Sequence, residues 1–397
     1  MELESNCIAP ASAPPCQTPH VPPQWADALH EIAGGSPSPP IVVICGPKNS
    51  GKSTFSRLLL NILLQRYDRV GYLDTDVGQP EFFVPGCLSL HLIDECLPDV
   101  MSTSIREPER CFFFGDISSK RDPEAYMDCM FRLHDYFIKE YHQLNDHDNN
   151  KKSSIPLIIN TAGWVKGTGL DVLIELLRYV SPTHVVQIRI SVETKNLPTG
   201  AFWLNDKKRE LSKLIEVDAV FTDSYNQSVL MGKNASRLRE SRLLDYFKQC
   251  FSSSLNIKTN KELAYALASL PPYQVHFSEV KVMHLHCQVP KHEVIYSLNA
   301  TIVGLAFNSF GPTTIECRPW CAGLGIVRGI DVKKDLLYVL TPISLSKLEK
   351  VDILLQGFIQ IPTVLLQVRG CRSPYMAANV LHKLPYKKLK ISPPKRS

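Results

Sequence analysis

The sequence predicts an α/β fold, a mostly parallel sheet with flanking helices, followed by a smaller β-rich C-terminal domain. Three observations predict it. Ile41-Val42-Val43-Ile44-Cys45 is a mostly β-branched apolar run, and a glycine-rich loop carries it into an apolar pattern at helical spacing, Phe55, Leu58, Leu59, Ile62 and Leu63. Further short apolar runs alternate with helical stretches as far as about Phe251. From about Pro271 the pattern changes to short strands separated by turns.

A length of 397 residues suggests two or three domains. The expected partition is a disordered Pro-rich segment over 1–39, an α/β domain over 40–270, and a β-rich domain with a basic tail over 271–397. No apolar run approaches the ~20 residues of a membrane span. Glu2 and Glu4, with no apolar stretch behind them, argue against a secretory signal. The cysteines are scattered without regular spacing, which fits reduced thiols in the cytosol or nucleus. Net charge is only mildly positive and does not by itself mark a nucleic-acid binder.

Met1 to about Pro40 is rich in Pro, Ser and Ala and lacks periodicity, apart from one short helix expected around Trp25 to Ile32. The loop that follows the first strand, Gly46-Pro47-Lys48-Asn49-Ser50-Gly51-Lys52-Ser53-Thr54, matches G-x-x-x-x-G-K-[ST] at every required position. Glycine at 46 and 51 lets successive backbone N–H groups turn inward around a phosphate. The helix beginning near Lys52 aims its orphan N–H groups at the same anion. Lys52 is placed to reach the β- and γ-phosphates of a bound nucleotide, and the Ser53 hydroxyl to ligate Mg²⁺. With a strand before and a helix after, the loop reads as a P-loop and the domain as P-loop NTPase-type.

A second strand, Arg69 to Leu73, ends in Asp74-Thr75-Asp76-Val77-Gly78-Gln79-Pro80-Glu81. Carboxylates at the C-terminal end of a parallel strand lie on the ligand-binding edge, where a Mg²⁺-organising group or a base is needed. Capping of the next turn is the plainer role for Asp74 and Asp76. Cys111 to Phe114 is a third strand, breaking into a loop of small polar residues that includes Ser118. A helix is expected from about Pro123 to Tyr141, then a polar surface loop from Asn145 to Ser154.

Ile155 to Ile159 is a buried strand leading into Asn160-Thr161-Ala162-Gly163-Trp164-Val165-Lys166-Gly167, with a helix near Leu170 to Tyr179. A Trp on such a loop can stack on a base, though a Trp is more often core material. Strands are expected over His184 to Ile190 and Ala219 to Asp223, and a helix between about Gly232 and Phe251 carries Arg237, Arg239 and Arg242. A basic helix here is a candidate lid, its plainer alternative being a solvated face. In the C-terminal part, strands are expected at Val275–Phe277, Val280–Cys287, Val294–Val303, Gly323–Ile330 and Leu336–Leu340. His284, His286, Cys287, Cys317 and Cys321 fit no paired-Cys/His zinc template. After Asp352 no acidic residue occurs, while Arg369, Arg372, Lys383, Lys387, Lys388, Lys390, Lys395 and Arg396 follow. Such a tail suits RNA phosphates or nuclear import, or serves only solubility.

Together, Gly46 to Thr54, Asp74 to Glu81 and Asn160 to Gly167 resemble the polynucleotide 5′-hydroxyl kinases of eukaryotic RNA processing. Pro80-Glu81 after Gln79 is more similar to the nucleolar pre-ribosomal RNA branch than to the mRNA 3′-end and tRNA branch. The resemblance is weaker in the C-terminal part, and a short Pro-rich stretch stands where the family has an N-terminal domain. It implies ATP and Mg²⁺ as cofactors, and Asp76 as the group that contacts the attacking 5′-hydroxyl. It also implies Trp164 as the holder of the RNA end, Arg239 and Arg242 as lid arginines, and Ser53 with Asp74 at the metal. Gln79, Ser118 and Thr161 join Trp164 as expected substrate contacts. The implied partner is RNA with a 5′-hydroxyl end, within a pre-rRNA processing complex that includes an endoribonuclease, in the nucleus and nucleolus. The rival is a nucleotide-binding scaffold of an RNA cleavage or splicing complex with little turnover. A GTPase is disfavoured, because no convincing Asn-Lys-x-Asp segment is present.

Overall fold

The computed structural model describes residues 21–34, 38–98, 104–142, 154–204, 212–220, 235–252, 255–307 and 318–366. The Asn145–Ser154 loop up to residue 153, the basic tail from Arg369, and Cys317 lie outside these residues.

The first sheet is built around β1 (Ile41–Cys45), which is buried along its whole length. Parallel neighbours flank it, β5 (Leu157–Asn160) and β6 (His184–Arg189), and β2 (Val70–Asp74) pairs parallel with β5. With β3 (Cys87–Ile93), β4 (Arg110–Phe113) and β7 (Lys213–Asp218), the order is β4-β3-β2-β5-β1-β6-β7. The edge made by β3 and β4 is antiparallel. Because β1, β2 and β5 run the same way in adjacent positions, their C-terminal loops converge. These are the P-loop, the 74–81 loop and the 160–167 loop, as expected of an open α/β sheet.

Helices α2 (Lys52–Leu63), α3 (Pro123–Phe137) and α4 (Thr168–Val180) follow strands and bury their apolar stripes on the sheet. Pro123 opens α3 after the Asp122 side chain accepts from Ala125 N at 3.1 Å, a cap that fixes where the helix starts. The expected helix near Tyr141 is instead closed by a single π-type turn over Ile138–His142.

Three sequence expectations need correction. The helix α1 (Pro23–Gly34) is no isolated element of a structureless segment. Trp25, Ala28, Leu29 and Ile32 are buried, and the Trp25 ring meets Phe55 of α2 edge-on at 5.3 Å. The strand expected at Ala219–Asp223 lies upstream as β7, whose alternating exposed and buried residues are those of an edge strand. Residues 221–223 are outside the description. Val294 to Ser297 is a helical turn rather than a strand, held by a tertiary contact: Gln356 Nε2 donates to the Ser297 carbonyl at 2.7 Å.

The second sheet contains β8 (Tyr273–His276), β9 (Lys281–His284), β10 (Thr301–Phe307), β11 (Trp320–Asp331), β12 (Leu336–Leu340) and β13 (Ile353–Gln356). Its order is β8-β12-β11-β10-β13-β9, antiparallel except for β9 beside β13. The helices α5 (Ala235–Lys248) and α6 (Asn260–Ser269) join the two sheets. One apolar cluster spans both, including Phe113 and Cys111 of β4, Phe247 of α5 and Ile302, Leu324 and Ile326 of the second sheet.

Candidate active site

The P-loop holds its shape through backbone conformations that its sequence permits. Gly46 and Gly51 have φ of 146° and 96°, and Asn49 adopts the left-handed region at 61°. A Cβ at Gly46 would sit 2.4 Å from the Ile188 carbonyl oxygen, so the strand-to-loop transition excludes any larger residue. Lys52 lies at the first turn of α2 and is 8% exposed. Its Nζ donates to the carbonyls of Gly46 at 3.1 Å and Pro47 at 2.8 Å, folding the side chain back under the loop. Burial pushes the Lys52 ammonium down to about 8, against the pull of the Asp76 carboxylate. Ser50 Oγ is buried without a hydrogen-bond partner in the same loop.

At the end of β2 the two carboxylates part company. Asp74 is fully buried; its Oδ1 accepts from Asp76 N at 3.2 Å and Asn160 Nδ2 at 3.4 Å, and its Oδ2 from Glu81 N. Burial pushes the Asp74 carboxyl up to about 8; the N–H groups of Glu81 and Asp76 oppose this, and the neighbouring carboxylates add to it. Asp76 instead faces a cleft. Its Oδ1 accepts from Gly78 N at 3.0 Å and Gln79 N at 3.1 Å, an Asx turn that fixes the side chain.

That cleft, of about 670 Å³, is lined by Lys48, Asn49, Gly51 to Thr54, Asp76, Gln79, Asn160, Thr161 and Gly163. Most of the expected residues therefore meet in one place. Val21, Pro22, Trp25, Leu58 and Val220 give it an apolar wall that the sequence did not announce. The signal for Trp25 was the spacing of Trp25, Leu29 and Ile32, and its indole Nε1 donates to the Asp218 carbonyl at 2.8 Å. Asn160, with its Oδ1 buried and unpartnered, is a further lining residue.

Other expected residues sit apart. Asp74 is not among the residues that line the cleft; its carboxyl accepts from the N–H groups of Asp76 and Glu81 and so holds its own loop. Thr161 lines the cleft but spends its hydroxyl on the Ile44 carbonyl at 2.8 Å. Ser118 caps a short 3₁₀ turn, accepting from Lys120 N. Trp164 is half-buried, its ring 5.5 Å from that of Tyr126 and against the start of α4, where a Cβ at Gly169 would meet it. The helix α5 carries Arg239 and Arg242 over a second cleft shared with Ser53, Arg57, Gln79 and Glu81. Arg242 Nη2 donates to the Glu81 carbonyl at 2.6 Å, and Arg57 pairs with Glu81 at 3.4 Å. The C-terminal half of α5 is anchored by Leu243, Leu244, Tyr246 and Phe247, all buried.

A family model described as mRNA cleavage and polyadenylation factor CLP1 P-loop matches residues 46–249. A second, described as NOL9-like, C-terminal domain, matches residues 268–362. The chain is 51% identical over 365 residues to a polynucleotide 5′-hydroxyl-kinase NOL9 of Arabidopsis thaliana, covering 91% of this chain and 97% of that protein. The chain belongs to the NOL9 polynucleotide 5′-hydroxyl-kinase family. It is also 34% identical to human NOL9, over 87% of this chain and 53% of that protein, so it spans about half the length of that relative. A solved Clp1p in complex with Pcf11p (454–563) superposes with a TM-score of 0.57 at 17% identity, covering 84% of this chain and 77% of that one. That likeness concerns the fold. The first family match ends one residue beyond α5, so the family's P-loop part includes the arginine-bearing helix.

Proposed function

We propose that this kinase transfers the γ-phosphate of ATP to the 5′-hydroxyl end of RNA, with DNA ends as a second acceptor, during pre-rRNA processing. The observation that carries the reading is the convergence of Lys52, Ser53, Asp76 and Gln79 on one cleft. The P-loop fits a triphosphate: its glycines leave no room for side chains, and the orphan Ser50 hydroxyl and the Lys52 ammonium sit within it. The apolar wall around Trp25 suits the nucleobase. Mg²⁺ would be held by the Ser53 hydroxyl and the phosphates, with Asp74 ordering the 74–81 loop beside it. When bound, the ion neutralises charge on the transferred phosphoryl group.

The chain's own residues do the rest. Asp76, fixed by its Asx turn, orients the 5′-hydroxyl and accepts its proton. Lys52 exchanges its loop carbonyls for phosphate oxygens, while Gln79, shared by both clefts, lies where donor and acceptor meet. Arg239 and, after release from Glu81, Arg242 stabilise the developing charge and exclude water. Trp164 holds the RNA end. The basic tail beyond Arg369 and the family resemblance support nucleolar work beside an endoribonuclease partner. Incubation with γ-labelled ATP and 5′-hydroxyl RNA or DNA of one sequence is the test. Label transfer to the oligonucleotide is expected, with Asp76→Asn inactive. Tight ATP binding without transfer would favour the scaffold reading, in keeping with a fold also seen in a Clp1p–Pcf11p complex.

A further inference from the structure

We infer that the acceptor strand leaves the catalytic cleft through a groove between α5 and the C-terminal sheet, where Phe358 stacks on a nucleobase and Arg121 holds a phosphate. The occupant's identity rests on the kinase reading above. The groove itself rests on three clefts that run into one another. The nucleotide cleft shares Ser53 and Gln79 with the cleft beneath α5. That second cleft shares Pro85 and Arg239 with a third, of about 390 Å³, lined by Asp116, Ile117, Arg121 and the loop Phe358–Thr363. The path therefore starts at the P-loop and Asp76 and ends at the second sheet. The close approach of the Asp76 loop to Ile117 joins its two ends from below, since a Cβ at Gly78 would lie 2.9 Å from the Ile117 carbonyl oxygen.

The far end is built to hold something flat and anionic. Phe358 is 44% exposed, although it lies on a rigidly fixed turn. Its N–H donates to the Gly115 carbonyl at 2.6 Å, and Gly357 lies so close to Gly115 that a Cβ would come within 2.3 Å of that oxygen. The His286 imidazole lies nearly parallel to the Phe358 ring, 5.9 Å between centroids at 17°, and the part of the ring that stays open to solvent is a stacking surface. The Arg121 guanidinium stands 4.6 Å from the ring centroid, and its side chain is 56% exposed. Its Nε is tethered to Asp116 Oδ2 at 2.9 Å, which neutralises that carboxylate while keeping the guanidinium in the groove. Arg239 adds a second cation along the path; Glu240 lines the far cleft beside Asp116, and Glu81 and Asp245 line the middle one. One ring beside a guanidinium, at the end of a path that Arg239 and Arg242 line and that begins at a phosphate site, matches a single-stranded polynucleotide. A base taking the Phe358 face would move the guanidinium toward the adjoining phosphate.

The test uses the full chain and 3′-fluorescein-labelled 5′-hydroxyl RNA from two to twelve nucleotides long. Both the binding constant, by anisotropy without ATP, and the KM for transfer are measured. Affinity of the native chain is expected to rise with length. Phe358→Ala should weaken the twelve-mer by roughly 5- to 150-fold, the range that base stacking supports. It should leave the dinucleotide and the KM for ATP unchanged, and Phe358→Trp should restore the twelve-mer. Arg121→Gln should weaken binding of long RNA and lower its salt slope by about one. Equal losses on dinucleotide and twelve-mer, or no loss on either, would overturn the groove. If the native chain binds RNA through Phe358 yet transfers no phosphate, the kinase reading fails and the groove stands. If it transfers phosphate and Phe358→Ala behaves as the native chain, the groove alone fails.

Discussion

In the proposed reaction Asp76 is a single carboxylate whose two oxygens have different duties. Oδ1 is committed to the N–H groups of Gly78 and Gln79, and the proposal gives Oδ2 to the 5′-hydroxyl. In Asp76→Asn the amide oxygen can keep both backbone bonds, so the loop should persist while the proton acceptor is lost. Single-turnover transfer is expected to fall by roughly 10²–10⁴-fold with ATP affinity nearly kept. Near-native transfer would remove Asp76 from the reaction. Trp164→Ala is expected to weaken RNA by ~1–3 kcal/mol and leave ATP alone. Because Trp164 also packs on Tyr126 and the start of α4, the competing outcome is a lower melting temperature with RNA affinity unchanged. The P-loop and Asp76 were legible in the sequence because short, fixed spacings dictate their geometry. Trp25 was not, since it reaches the cleft only through the packing of its helix on Phe55.

Among the elements, the parallel strands were readable from their unbroken apolar runs, whereas β3 is an addition to the expected set. Its sequence, Cys87-Leu-Ser-Leu-His-Leu-Ile93, places Ser89 and His91 in a buried strand. The imidazole is sheltered by Phe82 and Phe83, and one ring nitrogen meets Ser89 Oγ at 3.0 Å. Burial pushes His91 down to about 3, and Arg106 adds to the shift. Between that value and the ordinary 6.5, the unfolded chain holds a proton that the folded chain refuses. The contribution of this group to stability is therefore lost as pH drops below about 6.5. Urea unfolding of the native chain and His91→Gln between pH 4 and 8 checks this: the variant should show a shallower acid-side slope. Parallel curves would mean that other groups set the acid response. The helix α5 was also foreseen, but its anchoring by Tyr246 was not, because the partner, Leu324, lies 78 residues away in the chain.

At the scale of the whole molecule, two sheets that the sequence separates by a change of pattern share a core. Phe112 of β4 stacks on Trp320 of β11 at 4.3 Å, and the Arg132 guanidinium lies over both rings while donating to the Arg318 carbonyl at 2.7 Å. Phe113, on the opposite face of β4, is 1% exposed and lies so close to Gly304 that a Cβ there would come within 2.7 Å of its ring. The composition shift near Pro271 shows where one sheet ends and the next begins, but such long-range contacts leave no local pattern to read. A shared core couples the P-loop, the arginine-bearing helix α5 and the Phe358 turn, so the kinase should unfold as one unit. Phe113→Ala leaves the nucleotide cleft untouched and opens a cavity where the sheets meet, with an expected cost of ~3–5 kcal/mol. Thermal unfolding followed by ATP-induced protection should then show one transition, displaced downward as a whole, for both the P-loop part and the second sheet. Two transitions, with the ATP-protected one at its native temperature, would show that the sheets are energetically separate. The proposed lid and strand path would then rest on a movable joint instead of a common frame.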